Sequence, residues 1–285
     1  MLHSLKSLVA AAAALPAITA SASTITFDYT GSIVSWTVPA TGQYEITAVG
    51  ANGGIGHASR DSAPGGRGAI IGGTLSLNAG TTLSILVGQI GQSRSAGGNG
   101  GGGGGSFVVI PNGSSPTPLV IAGGGGGGVA QSRDAYPGGP ARIDRGSNPG
   151  YGSPASVTTS GGGGGLLTSG QNSLDGAGGG ASFLLGGAGG IGSATDRGSS
   201  GGFGGGGGSG FHAGGGGGFS GGLGSGEGGG YSYLDDSATS PTLIAGGNSF
   251  EHGHGQVTIT PVIVPEPSTT ALLSLAAIPA LRRRR

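Results

Sequence analysis

The chain has no cysteine, a single lysine and few charges of either sign. Without cysteine there is no disulfide framework, no thiolate catalysis and no cysteine-ligated zinc or iron–sulfur centre. The one lysine, Lys6, stands near the N-terminus. A phosphate-binding loop, which needs a lysine after its glycines, is therefore excluded from the rest of the chain. Charged residues make up 8% of the total, and between the two ends seven arginines face eleven acids. A mildly acidic body of this kind has no electrostatic footprint for nucleic acid. It also lacks the basic amphipathic face that binds anionic lipid. No metal or cofactor is expected.

Glycine fills the space these residues leave. The 285 residues include 74 glycines and 15 prolines, a share typical of low-complexity chains. There is no Gly-X-Y period, which excludes collagen. Hydrophobic residues still reach 34%, whereas highly charged, apolar-poor composition is the mark of ordinary disorder.

The two ends read as addresses. Residues 1–22 contain Lys6, then an apolar stretch over 8–15, then Ala20-Ser21-Ala22. A positive start, an apolar middle and a small-residue A-x-A exit make a secretory signal peptide, with the mature chain expected to begin near Ser23. At the other end, "VPEPST" is followed by an apolar run and four arginines. Residues 270–281 would reach about 18 Å as a helix, short of the roughly 30 Å hydrocarbon core. Pro265 and Pro267 block upstream extension of that helix, and Pro279 weakens it. The arginines would hold the C-terminus on the cytoplasmic side. The segment reads as a stop that holds the chain transiently in the inner membrane.

Val264, Pro265, Glu266 and Pro267, the apolar run with Leu272, Leu273 and Leu275, and Arg282, Arg283, Arg284 and Arg285 occur in that order. This arrangement over 263–285 resembles the PEP-CTERM sorting signal of Gram-negative bacteria, with a shorter apolar run. The resemblance implies recognition by an exosortase, a membrane-embedded cysteine protease, and cleavage near Pro-Glu-Pro. It also implies delivery to the cell surface or an exopolysaccharide matrix.

The body is expected to be mainly β. Apolar residues alternate in "STITFDYTG", with Ile25, Phe27 and Tyr29 on one face. In "SWTVPATGQYEITAVGA", strands flank a Pro-Ala-Thr-Gly turn, and Tyr44, Ile46 and Ala48 share a face. Residues 68–91 repeat the scheme around Asn78-Ala79-Gly80, with Leu75 and Leu77 before it and Leu83, Ile85 and Val87 after. "SFVVI" and "PLVIAG" are continuous apolar runs, as for strands buried on both faces, and "GQVTITP" supplies a last strand. "PLVIAGG" at 118–124 and "PTLIAGG" at 241–247 echo each other at the edges of the glycine tract. The expected organisation is a β-domain over 23–122 and 241–262, with a glycine-rich insertion over 123–240.

An isolated polyglycine run should be a flexible linker, because ordering each residue costs about 1–2 kcal/mol. The alternative is a bundle of left-handed extended helices that pair their outward N–H and C=O groups with neighbours. In "FGGGGGSGFHAGGGGGFSGG", Phe203, Phe211 and Phe219 recur every eight residues. At about 3.1 Å per residue, five glycines make a rod of roughly 15 Å, and each phenylalanine would cap a rod end.

Residues 36–54, 65–77, 83–91, 98–109, 118–128 and 253–260 resemble the glycine-rich extracellular domain of anaplastic lymphoma kinase and its relatives. The resemblance implies a tumour-necrosis-factor-like, jelly-roll β-sandwich with an inserted bundle of polyglycine II helices. It transfers no function.

Chemical motifs are discounted by composition. "GFSGG" fits G-x-S-x-G at Ser220, but no strand and helix flank it. Repeated G-x-G-x-x-G has no following helix. "EHGHG" places His252 and His254 on one face of an extended chain beside Glu251, too few ligands for structural zinc. Asp235, Asp236 and the Arg-Asp pairs read as solvated loop charges. The reading is a non-enzymatic exported surface or matrix protein. Its expected partners are the export machinery and exosortase, then exopolysaccharide or further copies of itself. The alternative is a surface adhesin or ligand-binding module using the loops at 50–65 and 133–151.

Overall fold

The computed structural model describes residues 23–94, 97–131, 133–147, 149–153, 159–225 and 228–262. These belong to one compact unit, Ser23–Val262. The segments Met1–Ala22 and Ile263–Arg285, with the signal peptide and the sorting signal assigned to them, lie outside the described residues.

The described chain is mainly β. In order the strands are β1 (Ile25–Asp28), β2 (Val34–Thr37), β3 (Gly42–Val49), β4 (Gly56–His57), β5 (Ser62–Ala63), β6 (Ile70–Leu77) and β7 (Thr82–Leu86). They continue as β8 (Ser106–Ile110), β9 (Thr117–Ala122), β10 (Val129–Gln131), β11 (Asp134–Tyr136), β12 (Tyr233–Leu234), β13 (Thr239–Ile244) and β14 (Gln256–Val262). Among the described residues the helical content is one 3-10 turn, Phe183–Leu185.

Two five-stranded sheets, β1-β14-β3-β6-β13 and β12-β9-β8-β7-β2, contain the principal strands. Every pairing within them is antiparallel. One apolar cluster joins them: Tyr44, Ile46, Ile71, Val257 and Ile259 from the first sheet meet Leu83, Ile85, Val108 and Val120 from the second. This arrangement fits a β-sandwich. Burying a side chain such as Ile46, Ile71 or Leu83, all 0% exposed, contributes about 1.5–3 kcal/mol.

Alternation identifies the buried faces as the sequence predicts. Tyr44, Ile46 and Ala48 are buried on β3, and Leu75 and Leu77 on β6. The turns do something else. Residues 38–41 and 78–81 carry the chain from one sheet to the other, so β2 pairs with β7 while β3 pairs with β14 and β6. The two corners lock together: Val38 N–H donates to Thr81 O (2.9 Å) and Gly80 N–H to Val38 O (2.9 Å). Tyr44 Oη donates to Ala40 O (2.7 Å). Both flanking strands then point their apolar faces into the same core.

Strand β8 is buried on both faces, as its unbroken apolar run predicts. Val108 faces the inter-sheet core, while Phe107 and Val109 join a second cluster with Leu86, Ile121, Leu166, Phe183 and Phe219. The glycine-rich chain thus packs on the outer face of the second sheet. The echoing segments at 118–124 and 241–247 have different environments. β9 ends in the buried Val120, Ile121 and Ala122, whereas β13 is an exposed sheet edge. Pro241, a register shift between Thr239 and Thr242, and Ser240 at φ 50° blunt that edge.

Candidate functional site

The processing residues expected from sequence, Ala20, Ala22, Val264, Pro265, Glu266, Pro267 and Arg282, Arg283, Arg284 and Arg285, lie outside the described residues. Among those that are described, no helix is long and apolar enough to cross a membrane. What the fold presents is a hydrogen-bonded glycine layer and an open cleft beside it.

The layer is clearest around residues 100–105. Gly100 and Gly103 donate to Gly128 and Gly125; Gly101 and Gly104 donate to Gln92 and Gln89; Gly102 and Gly105 donate to Gly207 and Gly204. These bonds are 2.8–3.0 Å long. Each neighbour is met every third residue, and its numbering falls as the donor's rises, so it runs antiparallel. The carbonyls repeat the period: Gly100 and Gly103 accept from Gly214 and Gly217, and Gly101 and Gly104 from Gly54 and Ala51. The segment is therefore bonded on both its donor and its acceptor sides.

Glycine is required here for lateral room. A methyl group on Gly100, Gly102 or Gly125 would overlap the carbonyl oxygens of Gly54, Gly215 and Gly66. None of the glycines in 100–105 or 123–128 has positive φ, so left-handed backbone freedom is not the reason for them. The layer also crosses the boundary drawn at residue 123. Segments 50–54, 65–68, 88–92 and 98–105 interleave with 123–128, 161–164 and 206–217, and β12 within 123–240 pairs with β9.

The phenylalanine spacing has a plain geometric origin. Phe203 and Phe219 pack at the end of the layer that meets the second sheet, with Phe219 7% exposed. Phe211 is 64% exposed. Gly207 N–H donates to Gly215 O (2.7 Å), placing the reversal of the chain at Phe211 between them. Eight residues thus run out and eight run back.

Small polar side chains complete the layer, and sequence reasoning missed them. The buried Asn99 donates Nδ2 to Gly210 O (2.9 Å) and Phe211 O (2.8 Å) and accepts from Ala130 N–H (2.6 Å). Asn248 donates to Gly50 O (2.7 Å) and His254 O (2.9 Å) and accepts from Phe250 N–H (2.9 Å). Asp175 accepts from the Phe211 amide (3.1 Å) and from the Ser173 hydroxyl. Asparagine within a glycine-rich stretch is the signal that could have identified the first two, because a buried amide must find partners.

The loop at 50–65 is largely committed to the layer. In the 133–151 loop, Arg145 pairs with Asp236 (2.6 Å), donates to Leu234 O (3.0 Å) and covers the Tyr233 ring at 4.4 Å. Asp236 is 86% exposed, so it remains a solvated loop charge within a surface ion pair. Burial, with nearby Asp235, raises the Tyr233 phenol above its usual range, against an opposing effect of Arg145.

The cleft lies between the end of β1 and the loop before β14, with a volume of about 360 Å³. The His254 ring stacks on Tyr29 at 4.9 Å and 10°. Its Nδ1 accepts from Ile90 N–H (3.2 Å), which leaves the ring proton on Nε2. Burial, and then neighbouring His252, lower its pKa below the usual histidine value. Gln256 Nε2 donates to Asp28 Oδ1 (2.9 Å), and Phe250 is 44% exposed at the rim. No group of three or more His, Asp or Glu among the described residues is placed to hold a metal ion. Ser220 is 4% exposed; its hydroxyl donates to Arg145 O (2.9 Å) and accepts from Gly150 N–H (3.2 Å).

No protein-family model matches the chain, and no curated protein matches it in sequence.

Proposed function

We propose that the protein is an exported, non-catalytic structural component of the bacterial cell surface or exopolysaccharide matrix, sorted by an exosortase through residues 263–285. The observation that carries this reading is the threefold hydrogen-bonded glycine layer. It directs many of the chain's backbone polar groups at one another and leaves a sparsely charged body.

The same layer supports a finer description of the fold as a sandwich carrying polyglycine II helices. A helix with three residues per turn and outward amides meets each neighbour every third residue. That is the period of the bonds from 100–105. The insertion of β14 between β1 and β3 supports a jelly-roll-like topology, because it is the long return of a Greek key.

Ser220 Oγ donates to the Arg145 carbonyl and His254 Nδ1 accepts from the Ile90 amide, so neither atom is free as a nucleophile or base, which supports a non-catalytic role. A surface adhesin or ligand-binding module is the second reading, favoured by the open cleft beside Tyr29 and Phe250. Cell fractionation tests the main reading. Removing residues 264–285 should move the protein from the surface to the periplasm or medium; unchanged surface retention would contradict sorting by this segment.

A further inference from the structure

We propose that the cleft between β1 and the loop before β14 binds an uncharged hexopyranose unit of a polysaccharide. Its volume of about 360 Å³ lies at the lower end of the range for small-molecule sites. A pyranose ring has an apolar C–H face and a rim of hydroxyls, and the cleft offers a counterpart for each. Phe250, 44% exposed, supplies an apolar surface at the rim. Tyr29, stacked on His254 at 4.9 Å, and His254 itself add aromatic edges to the lining.

The polar lining suits hydroxyls. Asp28 and Glu251 accept hydrogen bonds, and Gln256 and His252 can donate or accept. The 2.9 Å bond from Gln256 Nε2 to Asp28 Oδ1 holds one acceptor and one amide in a fixed relation before any ligand arrives. The supporting loop is also fixed. Asn248 ties it to Gly50, Gly253 N–H donates to Phe250 O (3.0 Å), and Asn52 N–H donates to Gly253 O (2.8 Å). Preorganisation of this kind lowers the ordering cost of binding.

Charge selects the class of sugar. The lining contains two carboxylates and no lysine or arginine. A phosphate, sulfate or uronate would meet repulsion without a compensating cation, whereas a neutral glycan meets hydrogen-bond partners alone. The inference deepens the surface or matrix reading and rests on it for the source of the polysaccharide.

Calorimetric titration of the purified full-length protein with laminarihexaose, cellohexaose and maltohexaose, and with an alginate hexamer as the anionic probe, tests the proposal. The expected result is saturable binding of at least one neutral glycan, weakened about tenfold or more by Phe250→Ala and by Gln256→Ala. Phe211→Ala, on another exposed phenylalanine, should leave binding unchanged. Thermal melts confirm that each variant is folded. The proposal is overturned by failure of all three neutral glycans to bind, by binding insensitive to Phe250→Ala, or by preference for alginate. Failure of the surface reading is distinguishable: a protein that binds glycan in this cleft but fractionates with the cytosol keeps the cleft assignment and loses the location.

Discussion

The carbonyl oxygen of Gly54 stands 2.0 Å from where a β-carbon on Gly100 would lie, and that carbonyl is the acceptor for Gly128 N–H (2.8 Å). One missing methyl group thus lets three chain segments meet. Gly100→Ala should lower stability by about 1–3 kcal/mol through overpacking, read as a fall in melting temperature. Gly42→Ala is the control, because nothing lies within 4 Å of its added methyl. That variant should be neutral or slightly stabilising, through a less flexible unfolded chain.

The phenylalanines at the end and at the turn of the reversing segment 203–219 should differ in the same way. Phe219, buried with Leu86, Phe107 and Tyr233, should cost about 3–5 kcal/mol on truncation to alanine. Phe211, 64% exposed, should cost no more than about 0.5 kcal/mol. Denaturant titration of the two variants checks the contrast. Equal losses would mean that the chain does not run out and back between these residues.

Acid should act through His254. Its folded pKa is lowered by burial and then by His252, so the folded state binds fewer protons than the unfolded state. The stabilising effect is complete above the ordinary histidine value and is lost as pH falls through the lowered one. Protonation would also remove the Nδ1 acceptor for Ile90 N–H. Melting temperature should therefore drop more steeply below about pH 6.5 in the native protein than in His254→Gln, measured from pH 8 to pH 5. Parallel curves would exclude His254 as the source.

Processing at the ends has a mass signature. Intact-mass measurement of protein recovered from the cell surface should give a chain beginning near Ser23 and lacking Arg282–285. A surface-bound chain that retains Arg285 would contradict exosortase cleavage.

Much of the sandwich was legible. The alternation of Tyr44, Ile46 and Ala48 and of Leu83 and Ile85 identifies buried faces, because a strand reverses its side chains at every residue. Which sheet each strand joins was not legible. The turns at 38–41 and 78–81 look like hairpins, since the same residues suit a hairpin turn and a crossover between sheets. The eight-residue phenylalanine spacing marks where the chain turns, since Gly207 N–H donates to Gly215 O across Phe211. The partners of each glycine were hidden, since identical residues carry no register. Asn99, Asn248 and Asp175 act through backbone carbonyls and amides contributed by distant segments, and sequence order does not reveal those encounters. Tyr29 and His254 come together only because β1 pairs with β14.

Amide hydrogen exchange followed by mass spectrometry tests the central claim most directly. If the glycine segments form a bonded scaffold, peptides spanning 100–105 and 123–128 should exchange as slowly as those from the buried strand β8. Exchange of these peptides at the rate of a free glycine linker, with β8 still protected, would contradict it.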